Sequence, residues 1–150
     1  MRTLIVFLFF LITATSVNGQ DSLRVSLQSF WSSSDSLQVV LNLDQPGDSL
    51  SVPIWAFEFH VELPETLRFV GVTSTATLSS KEGWTIGKNV DRLWAGGFSS
   101  STRAIHSPGS LVALWFVPIK DSNRGQICIP DLRLNSGNPA SIPQKVCTDF

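Results

Sequence analysis

Between Trp55 and Pro64 the chain reads WAFEFHVELP, and large apolar residues alternate with smaller or charged ones throughout. Successive side chains of an extended strand point to opposite faces. Trp55, Phe57, Phe59, Val61 and Leu63 therefore share one face, and Ala56, Glu58, His60 and Glu62 share the other. A helix would scatter the same residues around its circumference, so the stretch is specified as a strand with one side in a core. Such a strand belongs to an antiparallel sheet with one wet face. The polar row also raises the question of chemistry. Alternate residues on a face lie about 6–7 Å apart, close enough for two of them to share a metal ion. A zinc or calcium site needs further ligands from another segment, and no other stretch offers a matching set. The row reads first as the solvated face of a sheet and second as a surface for a partner.

Short apolar or alternating runs recur at 23–27, 37–43, 50–54, 55–63, 67–72, 85–90, 93–98, 111–117, 126–129 and 132–134. Turn-forming stretches cut them: DQPGDS at 44–49, SSSTRAIHSPGS at 99–110 and KDSNRGQ at 120–126. No sustained three-four apolar period marks a helix. The pattern predicts an all-β protein, an antiparallel sandwich or jelly roll.

The first residues are of another kind. Met1-Arg2 leads into the apolar run LIVFLFFLI at 4–12, and the small and polar residues TATSVNG follow at 13–19. This is the three-part layout of a secretory signal peptide. The run falls short of the roughly 20 residues a bilayer-spanning helix needs. Val17 and Gly19 suit cleavage before Gln20, with cleavage after Ser16 as the second choice. The expected division is a leader at 1–19 and one domain at 20–150, exported to the periplasm or beyond. No cysteine lies near the cleavage site to carry a lipid. Loss of Arg2 with the leader moves the formal charge from −1 to −2. No basic cluster remains for nucleic acid, and no second apolar run is long enough for a membrane helix.

Two cysteines, Cys128 and Cys147, lie in the exported part. In an oxidising compartment such a pair forms a disulfide. Closing a loop of about 20 residues contributes on the order of 3 kcal/mol in the chain-entropy model. The spacing fits no zinc pattern, and no histidine stands near enough to complete one.

Catalytic patterns are missing. The sequence has no Gly-x-Ser-x-Gly, His-Glu-x-x-His, phosphate-binding glycine loop or EF-hand loop. His106 stands among serines, but no carboxylate is indicated to orient it. The acidic residues are scattered, with Asp44, Asp48 and Asp121 in turns. A non-enzyme with no cofactor or metal is expected. The five tryptophans offer more, because tyrosine is absent. Trp55 falls on the core stripe, Trp84 shares the parity of Ile86 and suits a strand anchor, and Trp31 follows Phe30 at a strand end. In GSLVALWFVP, a core face made of Val112, Leu114 and Phe116 would turn Trp115 outward. An exposed tryptophan stacks on a sugar ring or anchors a protein interface, unless a loop or a neighbouring strand covers it.

The order GDSLSVPI, WAFEFHVELPETLRFVGV, LWAGGFSSS and GSLVALWFVPI resembles the cohesin domain family. The matching positions are Gly47, Asp48, Val52, Pro53 and Ile54, then Phe57, Phe59, Leu67 and Val72, then Gly109, Leu111, Leu114 and Phe116, over roughly 37–129. The resemblance implies a jelly-roll sandwich of about nine strands without a catalytic site, related in structure to some cellulose-binding modules. It implies a secreted module that binds a dockerin-like or other surface protein, with polysaccharide recognition through exposed tryptophans as the alternative. It also implies that the strand at 55–63 shares a sheet with the closing strand and with the strand at 93–98. Glu58, His60, Trp94 and Trp115 would then form one outward patch of mixed aromatic and charged character. Sequencing the exported protein from its N-terminus should return Gln20 first, or Val17 if the second cleavage choice is used; an intact Met1 would remove the leader.

Overall fold

The computed structural model describes residues 23–33, 35–100, 103–119, 124–135 and 144–150. The expected leader at 1–19 and its cleavage site lie outside the described residues. Among the described residues nine strands and one short helix follow in order: β1 (Arg24–Ser33), β2 (Ser36–Asp44), β3 (Ala56–His60), β4 (Leu67–Thr73), α1 (Leu78–Lys81), β5 (Thr85–Asn89), β6 (Trp94–Phe98), β7 (Gly109–Pro118), β8 (Gln126–Leu134) and β9 (Gln144–Asp149). They form two sheets, ordered β1-β2-β7-β4 and β5-β6-β3-β8-β9. Every pairing is antiparallel. The fold is the expected β-sandwich.

Period-two patterning builds the core between the sheets. In β2, Leu37, Val39, Leu41 and Leu43 are fully buried, while the residues between them face outward. Val112, Leu114 and Phe116 of β7 meet them on the inner side of the same sheet. From the other sheet come Phe57 and Phe59 of β3 and Ile127, Ile129 and Leu132 of β8. Phe57 stacks on Phe59 at 5.9 Å and on Trp84 at 6.0 Å between ring centroids, and Phe69 meets Phe116 at 5.5 Å. Trp84 is the strand anchor its parity suggested: its indole N–H donates to the Arg103 carbonyl at 3.1 Å. A buried aromatic of this size gains about 2 kcal/mol over an exposed one, so this ring cluster contributes a large share of the apolar stabilisation.

Several elements differ from the sequence reading. Residues 50–54 are not a ladder strand. Pro53 has no N–H to give, and the segment meets residues 105–106 through the isolated Ile54–Ile105 bridge and the Leu50 N–H on the His106 carbonyl rather than through a ladder. Trp55 does not join the core stripe; it is 44% exposed. The β3 ladder starts one residue later, at Ala56. The Trp55 backbone is fixed instead by the Asn135 amide oxygen and by the Ser99 N–H. The runs at 126–129 and 132–134 are one strand, β8, broken in register between Ile129 and Leu132. α1 is too short to show a helical period.

The two sides of the sandwich close differently. On one side β9 joins β8 through the Cys128–Cys147 disulfide, between directly opposed residues. The Ser29 hydroxyl of β1 donates to the Asp149 carbonyl at 2.6 Å, and Phe150 exchanges backbone hydrogen bonds with Gly125. On the other side Lys88 reaches from β5 across to β4, and its Nζ donates to the Val70 carbonyl at 3.2 Å. Phe59 is 1% exposed and sits among other rings, while its neighbour His60 faces solvent. Phe59→Ala should therefore cost about 3–5 kcal/mol in denaturant unfolding. His60→Ala should stay within about 0.5 kcal/mol, as at a surface site. Equal costs would mean that the strand is buried on both faces.

Candidate functional site

The polar row of β3 lies, as its alternation requires, on the outer face of the five-stranded sheet. Glu58 stands opposite Gly96 of β6 and opposite Arg133 of β8, and His60 stands opposite Trp94. Three side-chain contacts, two of them ion pairs, tie this row to its neighbours. Arg133 Nη1 lies 3.4 Å from Glu58 Oε1, His60 Nδ1 lies 3.6 Å from Asp131 Oδ1, and Lys145 Nζ lies 3.6 Å from Glu62 Oε2. All three are solvent-accessible, so each contributes about 0–1 kcal/mol to stability.

The β3–β8 ladder opens in the middle of this face. It pairs at Phe57–Leu134 and Glu58–Arg133, and the next link is the Glu62–Cys128 bridge. Between these points β8 passes through Pro130 and Asp131, where its register shifts. Pro130 has no N–H to donate to a ladder. The Asp131 carboxylate substitutes for the missing strand contact: its Oδ1 accepts the His60 backbone N–H at 3.4 Å. The gap leaves a depression of about 200 Å³ lined by Glu58, Phe59, His60, Trp94, Asp131 and Arg133. The Phe59 ring is buried, so this residue contributes backbone to the lining.

The run WAGGF in β6 shapes the rim of that depression. Ala95 and Gly97 face inward, and Trp94, Gly96 and Phe98 face outward. A Cβ on Gly97 would lie 2.5 Å from Ile86 Cδ1 and 2.7 Å from the Phe57 ring, so core packing requires glycine there. A Cβ on Gly96 would lie 2.8 Å from Trp94 Cζ2 and 3.1 Å from the Phe57 carbonyl. The Trp94 indole thus lies down over Gly96 and reaches Gly87 of β5, where an added Cβ would meet the ring at 3.6 Å. The seat puts the indole beside Glu58, which faces Gly96 across the strand pair. Sequence reasoning passed over these glycines; two consecutive glycines inside an otherwise apolar strand were the available signal.

Trp115 is not part of this face. β7 pairs with β2 and β4 in the four-stranded sheet, where Trp115 stands between Gln38 and Gly71. It does turn outward, half-buried, as the Val112–Leu114–Phe116 parity required. Strand parity tells which side of a strand a residue takes but not which sheet the strand joins. The expected patch of four therefore divides: Glu58, His60 and Trp94 come together, and Trp115 lies on the opposite outer surface. The tryptophans are dispersed generally. Trp84 is in the core, Trp55 is at the entry to β3, and Trp31 meets Phe150 edge-on at 6.1 Å. His106 is exposed, and among the described residues no group of three His, Cys, Asp or Glu side chains is placed to hold a metal.

Solved structures share this architecture. The chain superposes on a cohesin module from a family 33 glycoside hydrolase of Clostridium perfringens with a TM-score of 0.61 at 14% identity, covering 85% of this chain and 94% of that one. The chain has a cohesin-like fold. The sixth cohesin of Acetivibrio cellulolyticus scaffoldin B, solved in complex with the Cel5 dockerin, matches with a TM-score of 0.55 at 16% identity, over 83% of this chain and 96% of that one. A Clostridium thermocellum OlpA cohesin, solved in a type I cohesin–dockerin complex, matches at 0.53 and 12%, over 84% and 96%. At these identities the likeness is one of fold. No protein-family model and no curated sequence matches the chain.

The glycine seat makes an asymmetric prediction. Gly87→Ala should be neutral within about 0.5 kcal/mol. Gly96→Ala should lift the indole, moving the Trp94 indole N–H resonance, and cost about 1–3 kcal/mol as overpacking does. An unmoved indole in Gly96→Ala would show that the ring does not rest on the glycine.

Proposed function

We propose that the chain is a secreted, non-catalytic protein-binding module of cohesin type, and that it contacts its partner through the outer face of the five-stranded sheet. The observation that carries this reading is the flat-seated Trp94 beside Glu58 and His60, on a fold shared with cohesins that were solved bound to dockerins. The face has the make-up of an interface: an aromatic anchor at its centre, bordered by charged groups. Phe98 extends it along the same strand and is 53% exposed. The disulfide and the leader-like N-terminus support an extracytoplasmic setting. Recognition of an extended polysaccharide has less support, because a sugar chain needs several stacking rings in one row. Trp94 and Trp115 lie on opposite sheets, and Trp84 is buried.

The test is calorimetric titration of the mature chain with dockerin modules, and capture from the secreted proteome of the source organism by the immobilised chain. Trp94→Ala and the Glu58→Ala/His60→Ala pair should weaken capture at least tenfold, more than about 1.4 kcal/mol, with the melting temperature unchanged. Trp115→Ala should leave capture intact. Loss through Trp115 alone would move the interface to the other sheet, and equal capture by all variants would end the reading.

A further inference from the structure

We infer that the depression beside Trp94 is the seat of an arginine side chain presented by the bound protein; the inference rests on the protein-binding reading and names the chemistry of its contact. The depression is a built gap in a sheet, opened where Pro130 and Asp131 interrupt the β3–β8 ladder. One wall is the Trp94 indole, held down over Gly96 and Gly87. A cation over an indole face is attracted by the ring quadrupole, and the planar guanidinium also stacks on it.

The other walls choose the charge. Two carboxylates, Glu58 and Asp131, line the depression against one guanidinium, that of Arg133, and the His60 imidazole. Carboxylates only accept hydrogen bonds. The internal contacts engage Oε1 of Glu58, which meets Arg133, and Oδ1 of Asp131, which meets both His60 groups. Among the described residues the second oxygen of each carboxylate remains for a guest. A guanidinium has five N–H donors in a fixed plane and can reach two carboxylates from one position against the indole, which a single ammonium does less well. A neutral sugar ring would also stack on Trp94, but it brings no positive charge to the two carboxylates that line the depression.

The experiment uses the mature chain labelled with ¹⁵N and follows the Trp94 indole N–H. N-acetyl-arginine amide should shift it saturably, at millimolar concentrations. N-acetyl-citrulline amide, of the same shape without the charge, should shift it at least tenfold less at equal concentration, and methyl glucoside should not shift it. Glu58→Gln and Asp131→Asn should together weaken the arginine response about tenfold. The amide oxygen that Asp131→Asn introduces can still accept the His60 N–H, and the melting temperature serves as the check on folding. Equal responses to arginine and citrulline amides, or an unchanged response in the double variant, would overturn the inference. A response to the glucoside alone would replace it with a sugar site. If Trp94→Ala still abolishes capture while arginine amide gives no shift, the arginine falls and the protein-binding face stands.

Discussion

The structure depends on the burial of Phe57 and Phe59 from a strand that lies in the interior of its sheet. β3 is flanked by β6 and β8, so its backbone is engaged on both edges over part of its length and it cannot rotate to trade faces. A shift of one residue would place Glu58 and His60 among the rings of the core and put two phenylalanines in water, at a cost of several kcal/mol. The position of the inner row thereby dictates the outer one. The separation of Glu58 from His60, their alignment with Gly96 and Trp94, and the reach of Arg133 to Glu58 all follow from a register that the core selects. The candidate site is in this sense the reverse side of the core.

What could be read from the sequence divides along the same line. Alternation is local, and it correctly assigned the faces of β3 and β7 and the outward turn of Trp115. The Cys128–Cys147 link followed from the cysteine count and the expected compartment, and the bridge joins neighbouring strands. The resemblance correctly put β3 and the 93–98 strand, β6, in one sheet, but the sheet of β7 was not legible, because it depends on which connections cross over between layers, and no residue of β7 carries that information. Trp55 failed for a different reason: a face pattern says nothing of where a ladder starts, and here it starts one residue on. The proline in the 50–54 run should have demoted it, since Pro53 removes a donor where a ladder would need one.

The depression was hidden for a further reason. It exists because a ladder is absent, and absence of pairing has no hydrophobic signature. Its two sequence traces are Pro130, which breaks the strand, and Gly96, which clears room for a ring. Each by itself is an ordinary irregularity. They gain meaning only when the fold puts β6 and β8 on either side of β3, so that one residue type empties a space and the other lays an aromatic wall beside it.

The lysine that spans from β5 to β4 has a consequence beyond local closure. Both strands are terminal in their sheets, and a terminal strand offers unpaired amides to any extended chain that drifts past. Lys88 places an ammonium on that flank, fastened to the carbonyl of Val70 at the point where β4 loses regular register. A second chain trying to add there would meet a fixed charge and a kinked template together. On the other flank the terminal strands β1 and β9 are tied together by the Ser29 hydroxyl on the Asp149 carbonyl, so each side of the sandwich is bridged at the edge where a stray chain would add.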